Sequence, residues 1–214
     1  DTSDEWIVKR TGIRERRISM GETTWEMGLK AGQAALADAG LDAEALDLIL
    51  VSTVTPDSYT PTVSCVLQDK LGASHAMAFD LSAACSGFVY ASDVADSYIR
   101  AGKAKNVLVV SVERLSSIID YTDRTTCVIF GDGAGAVVLR SSEDSGCIAT
   151  LIGTQFNAEF LNMPNPSGNC PFTKGGNPGS FLQMNGQEVY RFAVSACVSD
   201  LKAVTQKAGY ALED

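Results

Sequence analysis

The feature that most constrains the fold of this chain is a regular alternation of β-prone apolar runs with helical patterns. The first run, residues 47–54, is almost continuously apolar, which is typical of a strand covered on both faces. Similar runs at residues 76–81 and 107–112 each follow a helical pattern. Because strands separated by helices pack as parallel βαβ units, the sequence predicts an α/β fold.

Helix boundaries are indicated by capping patterns and by glycines. Thr2 with Glu5, and Thr23 with Glu26, have the spacing of capping boxes, in which side chains satisfy backbone N–H groups of the first turn. The predicted helices are a short one that ends before Gly12, followed by 23–40, 61–71, 86–101 and 187–208.

The pattern changes after Tyr121. Two β-prone runs, 136–139 and 147–156, are separated by turn residues and predict a hairpin. Residues 162–180 are rich in Gly, Pro and Asn and predict an exposed loop.

A faint internal repeat bears on the domain organisation. Ala-Gly followed by Leu41 closes one predicted helix, and Ala-Gly followed by Tyr210 closes the last. We therefore predict two similar halves: residues 1–145, nearly complete and carrying the candidate nucleophile, and residues 146–214, the beginning of the second. Chance coincidence of one Ala-Gly pair is the alternative.

Charge and cysteine content argue against several classes of protein. Among 214 residues, 26 acidic side chains outnumber 17 basic ones, and the net charge of −9 disfavours nucleic acid as the main ligand. The six cysteines lie at least 20 residues apart, which argues against a CxxC metal pair or a disulfide framework and favours reduced thiols in a cytoplasmic protein. No apolar run approaches the roughly 18 residues of a membrane span, and no leader pattern is found, so neither membrane insertion nor secretion is expected.

The strongest candidate for chemistry is Cys85. The stretch 78–88 (Ala-Phe-Asp-Leu-Ser-Ala-Ala-Cys-Ser-Gly-Phe) places this thiol where a predicted strand turns sharply into a helix, the geometry that exposes a nucleophile in other α/β enzymes. Unpaired N–H groups at a helix N-terminus stabilise a thiolate. The alternative is a small buried cysteine packed between layers. The pattern alone leaves both interpretations open.

A base for this cysteine is not evident. The single histidine, His75, is separated from Cys85 by the predicted strand 76–81, which at about 3.3 Å per residue places them roughly 20 Å apart. We therefore expect His75 to be a solvated loop residue. Cys85 then relies on the helix dipole alone or on a base beyond residue 214.

Two further patterns have competing interpretations. Residues 131–136 (Gly-Asp-Gly-Ala-Gly-Ala) formally satisfy a dinucleotide fingerprint, but a predicted strand rather than a helix follows, so we expect tight backbone packing instead. A basic cluster near the start forms either a solvated surface or a site for a phosphate or an acidic protein. Its members are Lys9, Arg10, Arg14, Arg16 and Arg17.

Six stretches together resemble the β-ketoacyl-[acyl-carrier-protein] synthase III family of thiolase-fold condensing enzymes. They are 2–7 (Thr-Ser-Asp-Glu-Trp-Ile), 10–16 (Arg-Thr-Gly-Ile-Arg-Glu-Arg), the Cys85 stretch, 122–124 (Thr-Asp-Arg), 130–135 (Phe-Gly-Asp-Gly-Ala-Gly) and 184–189 (Met-Asn-Gly-Gln-Glu-Val). The resemblance implies a layered αβαβα fold whose N-terminal half is nearly complete in this chain and whose C-terminal half is truncated. It also implies a first strand before Asp1, and a catalytic histidine and asparagine after Asp214.

The resemblance implies an acyltransferase that initiates fatty-acid synthesis. In this family the cysteine takes a short acyl group from acyl-CoA, and malonyl-acyl carrier protein then loses carbon dioxide and attacks the acyl-enzyme to give a β-ketoacyl product. The cysteine's own backbone N–H contributes to an oxyanion hole. The implied partners are acyl-CoA, malonyl-acyl carrier protein and a second copy in a homodimer; the CoA thioester is a substrate, and neither cofactor nor metal is implied.

The resemblance also assigns CoA-binding positions. Cys85 is the expected nucleophile. Trp6 and Arg124 match the pair that sandwiches the adenine, because an indole and a planar guanidinium both stack. Thr2 is expected nearby, and Arg10 close to the phosphates.

Further positions match other parts of the family's site. Met184, Gly186 and Tyr190 correspond to the pantetheine tunnel. Arg191 is similar to a basic residue that meets the acidic carrier protein. Thr60 matches a loop position that reaches across the dimer to close the partner's acyl pocket, and a small residue there leaves room for more than an acetyl group.

Two other functions remain open at this point. One is a related thiolase-fold CoA-condensing enzyme, such as a hydroxymethylglutaryl-CoA or polyketide-type synthase, with another acceptor. The other is a non-catalytic acyl- or CoA-binding segment, because the chain lacks a histidine within reach of Cys85.

Overall fold

The computed structural model describes residues 3–144, 146–164 and 181–213. The helices are α1 (Asp4–Thr11), α2 (Thr24–Ala39), α3 (Val63–Leu71), α4 (Gly87–Arg100) and α5 (Gly186–Ala208), and the strands are β1 (Leu48–Ser52), β2 (Met77–Leu81), β3 (Asn106–Arg114), β4 (Asp132–Arg140), β5 (Leu161–Asn162) and β6 (Gln183–Met184). All five predicted helices and the three predicted buried strands are confirmed, with ends shifted by at most two residues.

The chain forms two compact units that interleave along the sequence. One comprises residues 1–16, 115–130 and 153–214, and the other comprises residues 17–114 and 131–152. The predicted halves, residues 1–145 and 146–214, are structural repeats rather than compact units of this kind. Their division at residue 145 stays a prediction.

A four-stranded sheet in the order β2-β1-β3-β4 forms the centre of the second unit. β1 pairs in parallel with both β2 and β3, whereas β4 runs antiparallel to β3. The carboxyl ends of the three parallel strands therefore meet at one edge of the sheet. The α/β prediction is confirmed.

Each face of this sheet is covered by helices, which explains the continuous apolar run of β1. Ile49 and Val51 point to the face covered by α2 and α3, whereas Leu48 and Leu50 point to the face covered by α4. All five residues of β1 are buried. α2 approaches the sheet closely at Gly32, where an added Cβ would lie 3.3 Å from the Leu108 side chain.

Two local predictions need correction. No strand is found at residues 147–156, so the predicted hairpin is wrong. β4 pairs with β3 instead, and the 147–156 segment bonds to side chains of α4: Arg100 donates to the Cys147 carbonyl at 2.9 Å, and Thr150 donates to Asp93. A β-prone composition does not supply a pairing partner.

The capping predictions are confirmed in one case only. Thr23 and Glu26 form both hydrogen bonds of a capping box at the start of α2. At α1 the N-cap is Ser3, whose hydroxyl accepts from the Trp6 backbone N–H at 3.2 Å. Thr2 lies outside the described residues, as does most of the predicted loop 162–180.

The first unit contains α1, α5 and the short β5–β6 pair. Backbone hydrogen bonds tie its segments together: the Leu182 N–H donates to the Ile118 carbonyl at 2.9 Å, and the Asn185 N–H to the Phe160 carbonyl at 2.8 Å. No helix in the described part of the chain has the length and apolar character needed to cross a membrane.

Candidate active site

Cys85 lies in the sharp connection between β2 and α4. β2 ends at Leu81, a single 3-10 turn spans Ala84–Ser86, and α4 begins at Gly87. Ala84 adopts a left-handed conformation with φ of 45°, which is uncommon and strained for a residue with a Cβ. The Cys85 side chain is exposed rather than packed between layers. The predicted junction is therefore present, and the buried structural alternative for Cys85 is wrong.

Gly87 allows α4 to begin against the end of β1. A Cβ at this position would lie 1.6 Å from Oγ of Ser52 and 2.8 Å from its Cβ. Only glycine therefore permits this approach. The Ser86 side chain makes no capping hydrogen bond at the α4 N-terminus. The helix start that follows Cys85 is thus packed onto the sheet, and the Ser86 side chain does not cap its first turn.

A cavity of about 280 Å³ lies beside Cys85. Its lining comes from the ends of β1 and β3, the start of β4 and the first turn of α4, all within the second unit. Apolar surface from Phe88 and Val112 contributes to the walls, and the hydroxyl-bearing residues Ser52 and Ser111 contribute polar atoms.

The cavity follows from a change in side-chain size along the sheet. On the face that α4 covers, one row across three strands consists of large apolar residues: Leu50, Val109 and Val137. The next row on the same face consists of small residues: Ser52, Ser111 and Gly135. Because strand spacing is fixed, the smaller side chains leave space next to the helix start.

Glu113 also lines the cavity and is held by the end of β1. Its carboxylate accepts hydrogen bonds from the backbone N–H of Val54 at 2.9 Å and from the hydroxyl groups of Thr55 and Thr53. Burial raises the pKa of Glu113, and these hydrogen bonds act in the opposite direction. Because of its burial, Glu113 holds its proton more strongly than a free carboxyl group does.

The loop that carries Thr60 is anchored at both ends by carboxylates. Asp57 accepts from two backbone N–H groups at the start of α2, both at 2.9 Å, and Asp80 from two at the start of α3, at 3.0 and 2.9 Å. Thr60 itself is exposed. The structure therefore places Thr60 on an exposed loop with fixed ends.

Trp6 and Arg10 are brought together one helical turn apart on α1. The guanidinium of Arg10 lies over the indole, 4.1 Å from the ring centroid, and Trp6 is partly exposed. Arg124 lies in a turn that Asp120 and Asp123 stabilise through Asx-type hydrogen bonds to Thr122 and Thr125. The hydrogen bonds from Thr125 hold the pKa of Asp123 below its usual range.

Four other expected site residues lie at or near the start of α5. Met184 ends β6, and its terminal methyl lies 3.8 Å from the position of a Cβ on Gly186. Tyr190 follows one turn later and is exposed. Arg191 forms an exposed ion pair with Glu188 at 2.6 Å. The structure thus brings Met184 and Gly186 into contact and leaves Tyr190 and Arg191 on the surface.

His75 does not lie beside Cys85. It is exposed and precedes β2, whereas Cys85 follows that strand. The glycine-rich stretch opens β4, so the expected strand is confirmed; the expected tight packing is wrong at Gly133 and Gly135, where an added Cβ meets no atom within 4 Å. Within the ranges that the structure describes, no group of three or more His, Cys, Asp or Glu side chains is placed to hold a metal ion.

The residues that sequence reasoning missed are those that shape the cavity: Ser52, Ser111, Glu113 and Gly135. One signal in the sequence pointed to two of them. The apolar runs of β1 and β3 are each interrupted by a serine near the carboxyl end of the strand. A polar residue at the end of an otherwise buried strand is typical of a site at the edge of a sheet.

Comparison with known proteins finds related sequences that have a family assignment. The sequence model of the 3-oxoacyl-[acyl-carrier-protein] synthase III family matches residues 79–158. The β-ketoacyl-[acyl-carrier-protein] synthase III of Clostridium acetobutylicum is 47% identical over all of this chain and 66% of its own length. That of Clostridium perfringens is 43% identical over all of this chain and 67% of its own length. The chain thus spans about two thirds of these relatives.

A solved structure identifies the class of fold. The β-ketoacyl-[acyl-carrier-protein] synthase III of Thermus thermophilus superposes with a TM-score of 0.89 at 38% identity, covering all of this chain and 67% of that one. The protein therefore has the α/β architecture of thiolase-fold enzymes. Within that class, the chain belongs to the β-ketoacyl-[acyl-carrier-protein] synthase III family, and the expected family is confirmed.

Proposed function

We propose that this protein is an acyltransferase that condenses a short acyl group from acyl-CoA with malonyl-acyl carrier protein and so initiates fatty-acid synthesis. The observation that carries the proposal is the exposed Cys85, at a strand-to-helix junction beside a cavity, in a member of this family. Active-site cysteines of acyl-transfer enzymes occupy such positions because the thiolate must be both stabilised and reachable.

The first step is acyl transfer to Cys85. The thiolate attacks the thioester carbonyl, the bond between the carbonyl carbon and the CoA sulfur breaks, and CoA leaves as the thiolate. The N-terminal end of α4 stabilises the negative charge on sulfur. The backbone N–H of Cys85 supports the oxyanion of the tetrahedral intermediate.

The second step forms the carbon–carbon bond. Malonyl-acyl carrier protein loses carbon dioxide, the resulting carbanion attacks the acyl carbonyl, and the Cys85 thiolate is released. The family resemblance assigns support of the decarboxylation to a histidine and an asparagine. His75 does not fill this role, because it lies at the opposite end of β2 from Cys85.

Substrate binding is assigned to residues outside the cavity. Trp6 and Arg124 would stack on the CoA adenine and Arg10 would contact its phosphates, with Thr2 nearby. The observed stacking of Arg10 on Trp6 supports this assignment, since it shows that the indole face accepts a planar cationic group. No cofactor or metal is proposed, because the CoA thioester itself is the activated substrate.

The remaining expected residues are assigned to the pantetheine tunnel, the carrier protein and the dimer. Met184, Gly186 and Tyr190 would line the pantetheine tunnel, and Arg191 would meet the acidic carrier protein. Thr60 would close the acyl pocket of the partner in a homodimer, which agrees with its exposed, anchored loop. A cytoplasmic location is supported by the free thiols of Cys65, Cys85, Cys127 and Cys197.

A condensation assay tests the proposal. The protein, expressed from its complete gene, is incubated with radiolabelled acetyl-CoA and malonyl-acyl carrier protein. We expect labelled β-ketoacyl-carrier protein, none with Cys85→Ala, and normal product with Cys65→Ala, which removes another exposed thiol.

The same assay separates the alternatives. Equal rates with malonyl-CoA in place of malonyl-acyl carrier protein would indicate a related condensing enzyme with another acceptor. CoA binding with no product from either acceptor would indicate a non-catalytic binding protein.

A further inference from the structure

We infer that the row of small side chains at Ser52, Ser111 and Gly135 sets the length of the acyl group that Cys85 carries. This inference rests on the function proposed above and adds to it the residues that determine acyl-chain specificity. It concerns only the second unit, which contains both the row and Cys85.

The row lies directly across three adjacent strands. Ser52 on β1 is the register partner of Ser111 on β3, and Ser111 is the partner of Gly135 on β4. Directly paired residues project from the same face of a sheet. All three line the cavity that also contains Cys85. A larger side chain anywhere in this row would therefore take space beside the nucleophile.

Gly135 is a position in the row where this space is open. A Cβ placed there meets no atom within 4 Å, and the backbone φ lies outside the left-handed region. Gly87, at the start of α4, differs: its added Cβ would collide with Ser52. A side chain at position 135 would thus enter the cavity without displacing the fold, whereas one at position 87 would not.

Ser111 brings a polar atom to this row. Its Oγ is buried and, among the residues that the structure describes, has no hydrogen-bond partner. Buried polar atoms without a partner are rare in folded proteins.

Loading rates for a series of acyl-CoA substrates test the inference. The full-length protein is mixed with acetyl-, butyryl- or hexanoyl-CoA, and acylation of Cys85 is followed by mass spectrometry. We expect the wild type to load all three. In Gly135→Val and Ser111→Val, the hexanoyl-to-acetyl rate ratio should fall roughly ten-fold or more, since a hydrophobic pocket discriminates at least this strongly per methylene. Gly135→Ala should show a smaller fall.

Gly146→Val is the matched control. An added Cβ at Gly146 also meets no atom within 4 Å, but this residue does not line the cavity. Its rate ratio should equal that of the wild type. An unchanged ratio in Gly135→Val and Ser111→Val, or a wild type that loads acetyl only, overturns the inference. A wild type that loads no acyl group at all overturns the proposed function itself.

Discussion

Gly87 and Ser52 are so close that a methyl group on position 87 would lie 1.6 Å from the serine Oγ. This contact fixes where α4 starts relative to β1, and Cys85 precedes that start by two residues. The position of the candidate nucleophile therefore depends on the absence of a side chain at residue 87.

Gly87→Ala is expected to destabilise the protein by about 1–3 kcal/mol, the usual cost of overpacking a tight interface. Urea unfolding measures the change. Gly133→Ala, where the added Cβ meets nothing within 4 Å, should cause no destabilisation. In a Ser52→Gly background the cost of Gly87→Ala should shrink, and an equal cost in both backgrounds would show that Ser52 is not the obstacle.

Asp80→Ala should destabilise the protein by about 1–2 kcal/mol, because the carboxylate accepts two backbone N–H groups at the start of α3. Asp69→Ala, within α3 itself, is the matched control. Its carboxylate is 75% exposed and pairs with Lys70 at 3.4 Å, so its loss should cost little. Equal unfolding free energies for the two variants would contradict the capping role of Asp80.

The elements that were predictable from sequence are those that local patterns specify. β1 is recognisable because burial on both faces requires an uninterrupted apolar run, and Cys85 is recognisable because small residues mark the strand-to-helix turn. The segment 147–156 has a similar β-prone composition but no paired strand. Strand formation needs a partner edge, and local composition does not encode one.

The cavity was not predictable for the same reason. The row Ser52, Ser111 and Gly135 exists only through the register of three strands that are far apart in sequence. Glu113 likewise acquires its environment from Val54, 59 residues away along the chain. The sequence shows which residue types are present, but it does not show which strand positions pair or that Glu113 meets Val54.

CoA affinity tests the adenine assignment. Trp6→Ala and Arg124→Ala should each weaken CoA binding by about 1 kcal/mol or more, about five-fold in Kd, through loss of stacking. Isothermal titration calorimetry measures the change. Lys70→Ala removes an exposed cation from a different helix and should leave the Kd unchanged. Unaltered affinity in both site variants would remove the assignment.

The pH dependence of stability tests the environment of Glu113. Burial raises its folded-state pKa above the ordinary value of 4.5, so the folded protein binds this proton more tightly than the unfolded chain does. The resulting stabilisation is present below that value and is lost as the pH rises through the raised pKa.

Glu113→Gln cannot titrate at this position, so comparison with the wild type isolates the carboxyl group. Between about pH 4 and pH 7, the stability of the wild type relative to Glu113→Gln should decrease. Urea unfolding at several pH values gives this difference. A relative stability that increases with pH would show that the hydrogen bonds from Thr55 and Val54 outweigh burial.

The most direct test of the account is to locate the acyl group on the protein. After incubation with acetyl-CoA, peptide mass spectrometry should find one acetyl group on the peptide that contains Cys85 and none on that of Cys65, although both thiols are exposed. Acetylation should disappear in Cys85→Ala. Acetyl groups on another cysteine, or acetylation that persists in Cys85→Ala, would contradict the assignment of Cys85 as the nucleophile.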